Sequence, residues 1–240
     1  MSLPDLSWQF LYGRLAWALV FAAVVVAAWP ARRLPRPALA AIVGVSGLLM
    51  ALPGEASPAW HLGLAFQYPS ALLAGLCGAA LLARWRGQPV VAMPRALAGL
   101  LAAAGLVLYL DAFGLFALGI YYAGFGPSAA PLCALLLAMA AAIALVRGIA
   151  RPQAAVLLGA VLLFSLARLP SGNLWDALLD PLLWGWAVVS LAAHALRAVR
   201  SQAIGPRAVA APVAAPAVAA HHDQPALHAV GAEPFSPIKE

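Results

Sequence analysis

Charged residues in the first 200 positions fall into two groups on opposite sides of a series of apolar segments. One side carries every acid of this stretch and only two arginines, its members being Asp5, Glu55, Asp111, Asp176, Asp180, Arg14 and Arg168. The other side carries no acid, and its arginines are Arg32, Arg33, Arg36, Arg84, Arg86, Arg95, Arg147, Arg151, Arg197 and Arg200. Arginine-rich loops stay on the cytoplasmic side of a membrane. We therefore expect a membrane protein with its N-terminus outside and its C-terminus in the cytoplasm.

The composition supports a lipid environment. Of the 240 residues, 65% are hydrophobic and 9% are charged, whereas soluble domains are roughly 45–50% apolar and about 25% charged. The net charge of +6 does not indicate a nucleic-acid partner, because the arginines lie in short loops where they can meet anionic headgroups. We expect the lipid bilayer and a membrane-protein partner instead. The abundance of Ala and Pro favours a bacterial inner membrane.

Seven apolar segments are candidates for membrane spans. A span needs about 20 apolar residues, with tolerance down to about 17. Division of the chain at charged, Pro and Gly clusters predicts spans at 11–29, 37–52, 62–83, 95–110, 128–146, 152–168 and 177–196. The predicted fold class is all-α, a polytopic membrane helix bundle of about seven transmembrane helices. Residues 201–240 are rich in Ala and Pro, which predicts a disordered cytoplasmic tail.

The segment 111–127 does not fit either a loop or a span. It is apolar and aromatic, yet glycines at Gly114, Gly119 and Gly124 interrupt it. We expect an interfacial or re-entrant element, which a membrane tolerates only where protein or water covers the breaks in backbone hydrogen bonding. The pattern leaves both alternatives open.

Three stretches share an order of features and begin near Arg32, Arg84 and Arg147. Each has an Arg and Pro turn, an apolar helix, an aromatic stretch, a Pro near a helix start and a second apolar helix. Many transporters are built from duplicated units with a site at the repeat interface. Ala-rich spans also resemble one another by composition alone, so the pattern does not by itself establish duplication.

The strongest polar cluster is Asp176 and Asp180, four residues apart, with Arg168 shortly before them. On one helical face these carboxylates could hold a proton or a cation, since ionisable groups within a membrane are costly and usually functional. Gln67 and Asp111 are predicted to face the same compartment and to complete a polar site at the outer face.

A structural role for the same acids is the competing interpretation. Asp180 precedes Pro181, so a helix that begins at the proline would make Asp180 an N-cap and Asp176 a solvated loop residue. In that case Asp180→Asn should cost little, because Asn caps a helix about as well as Asp.

Other functional classes have weaker support. The sequence Gly44-Val45-Ser46-Gly47 is similar to the Gly-x-Ser-Gly of rhomboid intramembrane proteases, and His194 is the candidate for the catalytic base. It lies in an early span without a His or Asn placed to stabilise an oxyanion, and small residues at this spacing ordinarily serve helix packing. A retinal protein would need a Lys in the last span, but the single Lys is Lys239. We expect no cofactor and no metal site.

Few polar residues lie near the middle of the predicted spans, chiefly Ser46, Ser165 and Ser190. This scarcity favours an accessory or scaffold component of a membrane assembly, without an evident enzymatic site. The alternative is a small transporter or carrier with an outward-facing polar site, and an intramembrane enzyme is a more remote alternative.

Overall fold

The structure is a computed structural model and describes residues 4–29, 34–90 and 93–203. These residues form helices and connecting turns, without a strand in the ranges described. The helices are α1 (Leu6–Ala28), α2 (Arg36–Ala51), α3 (Pro58–Phe66), α4 (Ala71–Trp85), α5 (Arg95–Ala112), α6 (Ile120–Ala123), α7 (Ala129–Val146), α8 (Arg151–Ala167), α9 (Leu174–Leu178) and α10 (Pro181–Ala203), with a 3-10 turn at Gly54–Ala56. The expected all-α class is confirmed for this part of the chain. Arg32, Arg33 and the predicted tail beyond residue 203 lie outside the described residues.

Four helices are long and apolar enough to cross a membrane: Leu6–Ala28, Arg95–Ala112, Ala129–Val146 and the Pro181–Arg200 part of α10. Three further apolar helices are shorter, at Arg36–Ala51, Ala71–Trp85 and Arg151–Ala167. Large apolar side chains on these helices face outward, among them Leu48, Val146 and Leu166. Such a surface is unfavourable in water and is matched by lipid tails, so the structure indicates a helical membrane protein.

A short helix stands between two long helices three times along the chain. The triplets are α2, α3 and α4, then α5, α6 and α7, then α8, α9 and α10, and α1 precedes them. The segment predicted as one span at 62–83 is divided between the short helix α3 and the longer helix α4. The division occurs because the backbone turns at Gln67, which has a φ of 60°. Whether the triplets arose by duplication stays a prediction.

Hydrogen bonds between helix ends bring the acid-bearing regions together. The Gln9 amide near the start of α1 donates to the Pro170 carbonyl after α8 at 2.9 Å. The Asp180 carboxylate before α10 accepts from the Ser70 N–H before α4 at 2.7 Å. We call the region formed by the starts of α1, α4 and α10 and the end of α8 the acidic end.

Contacts at the other ends of these helices join arginine-bearing regions. The Arg36 Nε at the start of α2 donates to the Trp85 carbonyl at the end of α4, at 3.1 Å. The His194 ring in the second half of α10 donates to the Met93 carbonyl just before α5, at 3.3 Å. We call this region the arginine end.

The core between the two ends is packed through small residues. α1 packs against α2 and α4, α4 also packs against α8, and α8 packs against α7. Gly75 on α4 has no space for a Cβ because Val156 of α8 occupies it, and Gly105 on α5 lies directly against Trp184 of α10. The Trp184 indole also donates to the Ala102 carbonyl at 3.0 Å. Close approach through small residues is the usual way that helices associate in lipid.

Candidate functional site

Asp180 connects the beginnings of two long helices. Its side chain is only 6% exposed. Oδ1 accepts from the backbone N–H groups of Leu182 and Leu183, each at 2.8 Å, and therefore caps α10. Oδ2 accepts from the N–H of Ser70, whose own Oγ caps α4 by accepting from Leu73 at 3.0 Å. We call this pairing of Asp180 with Ser70 the cap bridge.

The position of the cap bridge explains how a carboxylate is tolerated in a buried setting. Backbone N–H groups at a helix N-terminus carry partial positive charge, and two such termini face Asp180. Both oxygens are occupied by donors that belong to the fold. The predicted N-cap role of Asp180 agrees with this geometry. The bond from the Ser70 N–H to Oδ2 was not predicted from the sequence.

Asp111 holds the irregular segment that follows α5. Its Oδ1 accepts from the N–H groups of Leu118 at 2.8 Å and Gly119 at 2.9 Å. Its Oδ2 accepts from the N–H of Tyr121 at 2.8 Å. The side chain is 5% exposed and lies on the last turn of α5. Asp111 thereby fixes the loop and the start of α6 to the end of a long helix.

Asp176 lies where α6 meets α9. The Tyr121 hydroxyl donates to its Oδ1 at 3.2 Å, and the Ser171 hydroxyl donates to its Oδ2. Asn173 strengthens this contact by donating to the Tyr121 carbonyl at 3.2 Å. The Leu174 N–H donates to the Gly124 carbonyl at 3.1 Å. Asp176 is therefore part of a packed junction, and the solvated loop position that capping at Asp180 implied for it is not what the structure contains.

The pKa values of this junction follow from its burial. Burial raises the pKa of Asp176 above its ordinary value, and the hydrogen bonds from Ser171 and Tyr121 counteract part of that rise. Burial, together with the neighbouring Asp176 charge, raises the pKa of Tyr121 to about 12. The Tyr121 hydroxyl thus remains a proton donor at neutral pH. Asp176 differs from Asp111 and Asp180 because hydroxyl groups, rather than backbone N–H groups, bind its oxygens.

The other two predicted site residues are Gln67 and Arg168. Gln67 is exposed in the turn between α3 and α4, and its carbonyl accepts from the Trp17 indole at 3.2 Å. Arg168 ends α8 in a left-handed conformation, and its guanidinium lies over the Phe164 ring, 4.9 Å from the centroid. Among the described hydrogen bonds, none joins Asp176 to Asp180 or to Gln67.

Gln67 instead lines a cleft of about 720 Å³ between α1, α3 and the turn after α8. Its polar lining includes Gln9, Arg14 and Ser171. Arg14 donates to the Leu52 carbonyl at 3.4 Å, so its guanidinium is partly engaged by the end of α2. The cleft has no acidic lining residue in the described ranges, and a cation would find no counter-charge there.

The residues of the protease-like sequence are used locally. The Ser46 hydroxyl donates to the Ile42 carbonyl one turn earlier in α2 at 2.7 Å and is 2% exposed. His194 is engaged with Met93 at the arginine end. Across residues 4–29, 34–90 and 93–203, no group of three or more His, Cys, Asp or Glu side chains is arranged to hold a metal ion.

Beyond Asp111 the chain exposes large apolar side chains on an ordered backbone. Phe113 is 79% exposed and Tyr122 is 70% exposed. We call this surface the apolar platform; it consists of Phe113, Leu115, Phe116, Leu118 and Tyr122. Its backbone is held by the three Asp111 hydrogen bonds and by the N–H groups of Leu115 and Phe116, which donate to the Leu110 carbonyl of α5. The side chains of Asn173 and Trp175 add bonds to the carbonyls of Tyr121 and Ile120.

Sequence reasoning did not anticipate the partners of these acids. Tyr121 and Ser70 lie 55 and 110 residues from Asp176 and Asp180, respectively. A signal was present in the similar helix starts at Pro69-Ser70 and Asp180-Pro181, both of which combine a capping residue with proline. Comparison with protein-family models, with curated proteins and with solved structures found no match.

Proposed function

We propose that this chain is a seven-span protein of a bacterial inner membrane, with its N-terminus outside, that acts as an accessory or scaffold subunit of a membrane assembly. The main support for the scaffold function is that Asp111 and Asp180 accept hydrogen bonds from six backbone N–H groups, those of Leu118, Gly119, Tyr121, Ser70, Leu182 and Leu183. A carrier site needs polar groups that exchange partners during transport. Here the two most buried acids stabilise the fold.

The apolar platform supports a protein partner. Its side chains are exposed, whereas its backbone is held by hydrogen bonds to Asp111, to the Leu110 carbonyl and to Trp175. A surface that is already ordered loses little conformational entropy on binding, which favours association with another protein. Aromatic residues are also enriched in protein interfaces. Lipid would cover the same side chains without needing a fixed backbone.

Seven spans require that the shorter helices also cross the bilayer. α8 has 17 residues, α2 has 16 and α4 has 15. At 1.5 Å per residue these lengths correspond to about 22–26 Å, below the ~30 Å hydrocarbon core. Local thinning and snorkelling arginines at the arginine end accommodate a mismatch of this size at modest cost.

The orientation is tested with reporter fusions. A phosphatase that is active only outside the cytoplasm should work when fused after Glu55 or Asp111 and should be silent after Arg86 or Arg200. The reason is the arginine excess at one end of the bundle. The opposite activity pattern would contradict the proposed orientation.

The scaffold function is tested against the carrier alternative by cysteine labelling in intact cells. In a background without Cys77 and Cys133, we expect Ser46→Cys and Ser190→Cys to resist a membrane-impermeant maleimide. Glu55→Cys, at an exposed position in the 3-10 turn, should react and serves as the positive control. A carrier must admit water to mid-depth, so rapid labelling of either mid-span cysteine would favour transport over the scaffold function.

A further inference from the structure

A second cleft, of about 830 Å³, runs between α1, α4, α5, α8 and α10. Its walls are apolar, with Leu73, Leu76, Val156, Leu182 and Trp186 among the lining residues. Leu73 near the start of α4 and Arg86 just after its end both line the cleft. At 1.5 Å per residue these positions are about 20 Å apart along the helix axis, which exceeds the ~15 Å depth of one hydrocarbon leaflet. The cleft is therefore long enough for an acyl chain.

The polar lining is concentrated at the arginine end. Arg86 and Gln88 follow α4, while Arg151 and Gln153 belong to the first turn of α8. Both arginines are exposed. No Asp or Glu lines the cleft in the part of the chain that the structure describes. The mouth therefore carries two cationic side chains and two amides without a carboxylate to neutralise them.

We propose that this cleft binds an anionic phospholipid, with the phosphate at Arg86 and Arg151 and an acyl chain along α4. Guanidinium groups bind phosphate through paired, charge-assisted hydrogen bonds. Basic pockets between transmembrane helices on the cytoplasmic side are suited to anionic headgroups. The apolar wall selects a lipid over a free phosphate ion, because a soluble anion would leave that wall uncovered. This site goes beyond the scaffold function, which rests on the hydrogen bonds of Asp111 and Asp180 and on the apolar platform.

The test is lipid retention by the purified full chain. Protein in detergent is incubated with phosphatidylglycerol or phosphatidylcholine, and bound lipid is counted by native mass spectrometry. We expect retention of phosphatidylglycerol over phosphatidylcholine, and we expect Arg86→Gln with Arg151→Gln to weaken it by at least about tenfold.

The matched control is the double variant Arg95→Gln with Arg147→Gln. It removes the same charge from the arginine end, but neither residue lines the cleft. It should retain phosphatidylglycerol within about twofold of the unmodified chain. An equal loss in the two double variants would overturn the proposal, because it would reduce the effect to general surface charge.

A wall variant separates a lipid from a free anion. Ala80 lines the cleft, and Ala80→Leu should reduce phosphatidylglycerol retention by occupying space needed by the acyl chain. Inorganic phosphate at millimolar concentration should not displace the lipid. Displacement by phosphate, or equal retention of the two phospholipids by the unmodified chain, would overturn the assignment. An unchanged thermal midpoint in each variant confirms that the fold is intact.

Discussion

Asp180→Ala is expected to lower the free energy of unfolding by about 3 kcal/mol. The substitution removes the cap of α10, worth about 0.5–2 kcal/mol. It also leaves the buried N–H group of Ser70 without its acceptor, at about 1–3 kcal/mol for one unsatisfied group. The measurement is reversible unfolding in mixed detergent micelles, compared with the unmodified chain.

Asp180→Asn provides the sharper comparison. Its Oδ1 can still accept from Leu182 and Leu183, but its amide nitrogen would face the Ser70 N–H, so two donors would meet. We expect a loss of about 1–3 kcal/mol, in contrast to the small cost that a simple N-cap predicts. Ser70→Ala is the control, because it removes the hydroxyl cap of α4 and keeps the N–H that binds Asp180.

The two variants distinguish the cap bridge from ordinary capping. Asp180→Asn with the stability of the unmodified chain would show that the bond to Ser70 contributes nothing and would return Asp180 to the role of a simple N-cap. A loss in Asp180→Asn that exceeds the loss in Ser70→Ala would support the bridge, because only the Asp180 substitution changes the contact between α4 and α10.

Asp111→Ala is expected to release the apolar platform while the long helices stay folded. Three backbone N–H groups, those of Leu118, Gly119 and Tyr121, would lose their acceptor. If local opening becomes about 2 kcal/mol easier, amide hydrogen exchange in that segment should accelerate by roughly 30-fold. Exchange measured by mass spectrometry on peptides covering 113–125 tests this expectation.

Asp111→Asn is the matched variant for this prediction. It keeps Oδ1 for Leu118 and Gly119 and loses the acceptor for Tyr121, so the acceleration should be intermediate. Peptides from α7 should exchange as in the unmodified chain. Unchanged exchange at 118–121 in Asp111→Ala would show that contacts other than those of Asp111 hold the platform.

The cap bridge and the junction at Asp176 connect the three triplets of helices. The short helices α3, α6 and α9 each precede a long one. α6 and α9 bind each other through Asn173, Tyr121 and Asp176, which joins the second triplet to the third. Asp180 and Ser70 join the third triplet to the first. Two of the predicted polar residues, Asp176 and Asp180, thus connect the third triplet to the other two.

Sequence alone predicts the helical class, the approximate positions of the long helices and the separation of acids from arginines. These properties depend on local hydrophobicity, on prolines at helix starts and on loop charge, all of which are readable within about 20 residues. The breaks within the predicted segments were harder to place. The turn at Gln67 adopts a positive φ without a glycine to indicate it.

The partners of the acids depend on how the helices pack. Asp176 and Asp180 are four residues apart, but the chain leaves the helical conformation at Leu179 and directs the two side chains to different partners. The partners are distant in sequence, and a hydrogen bond between distant residues depends on how helices pack. The charge pattern therefore located the acids at one end, whereas helix packing made them structural acceptors there.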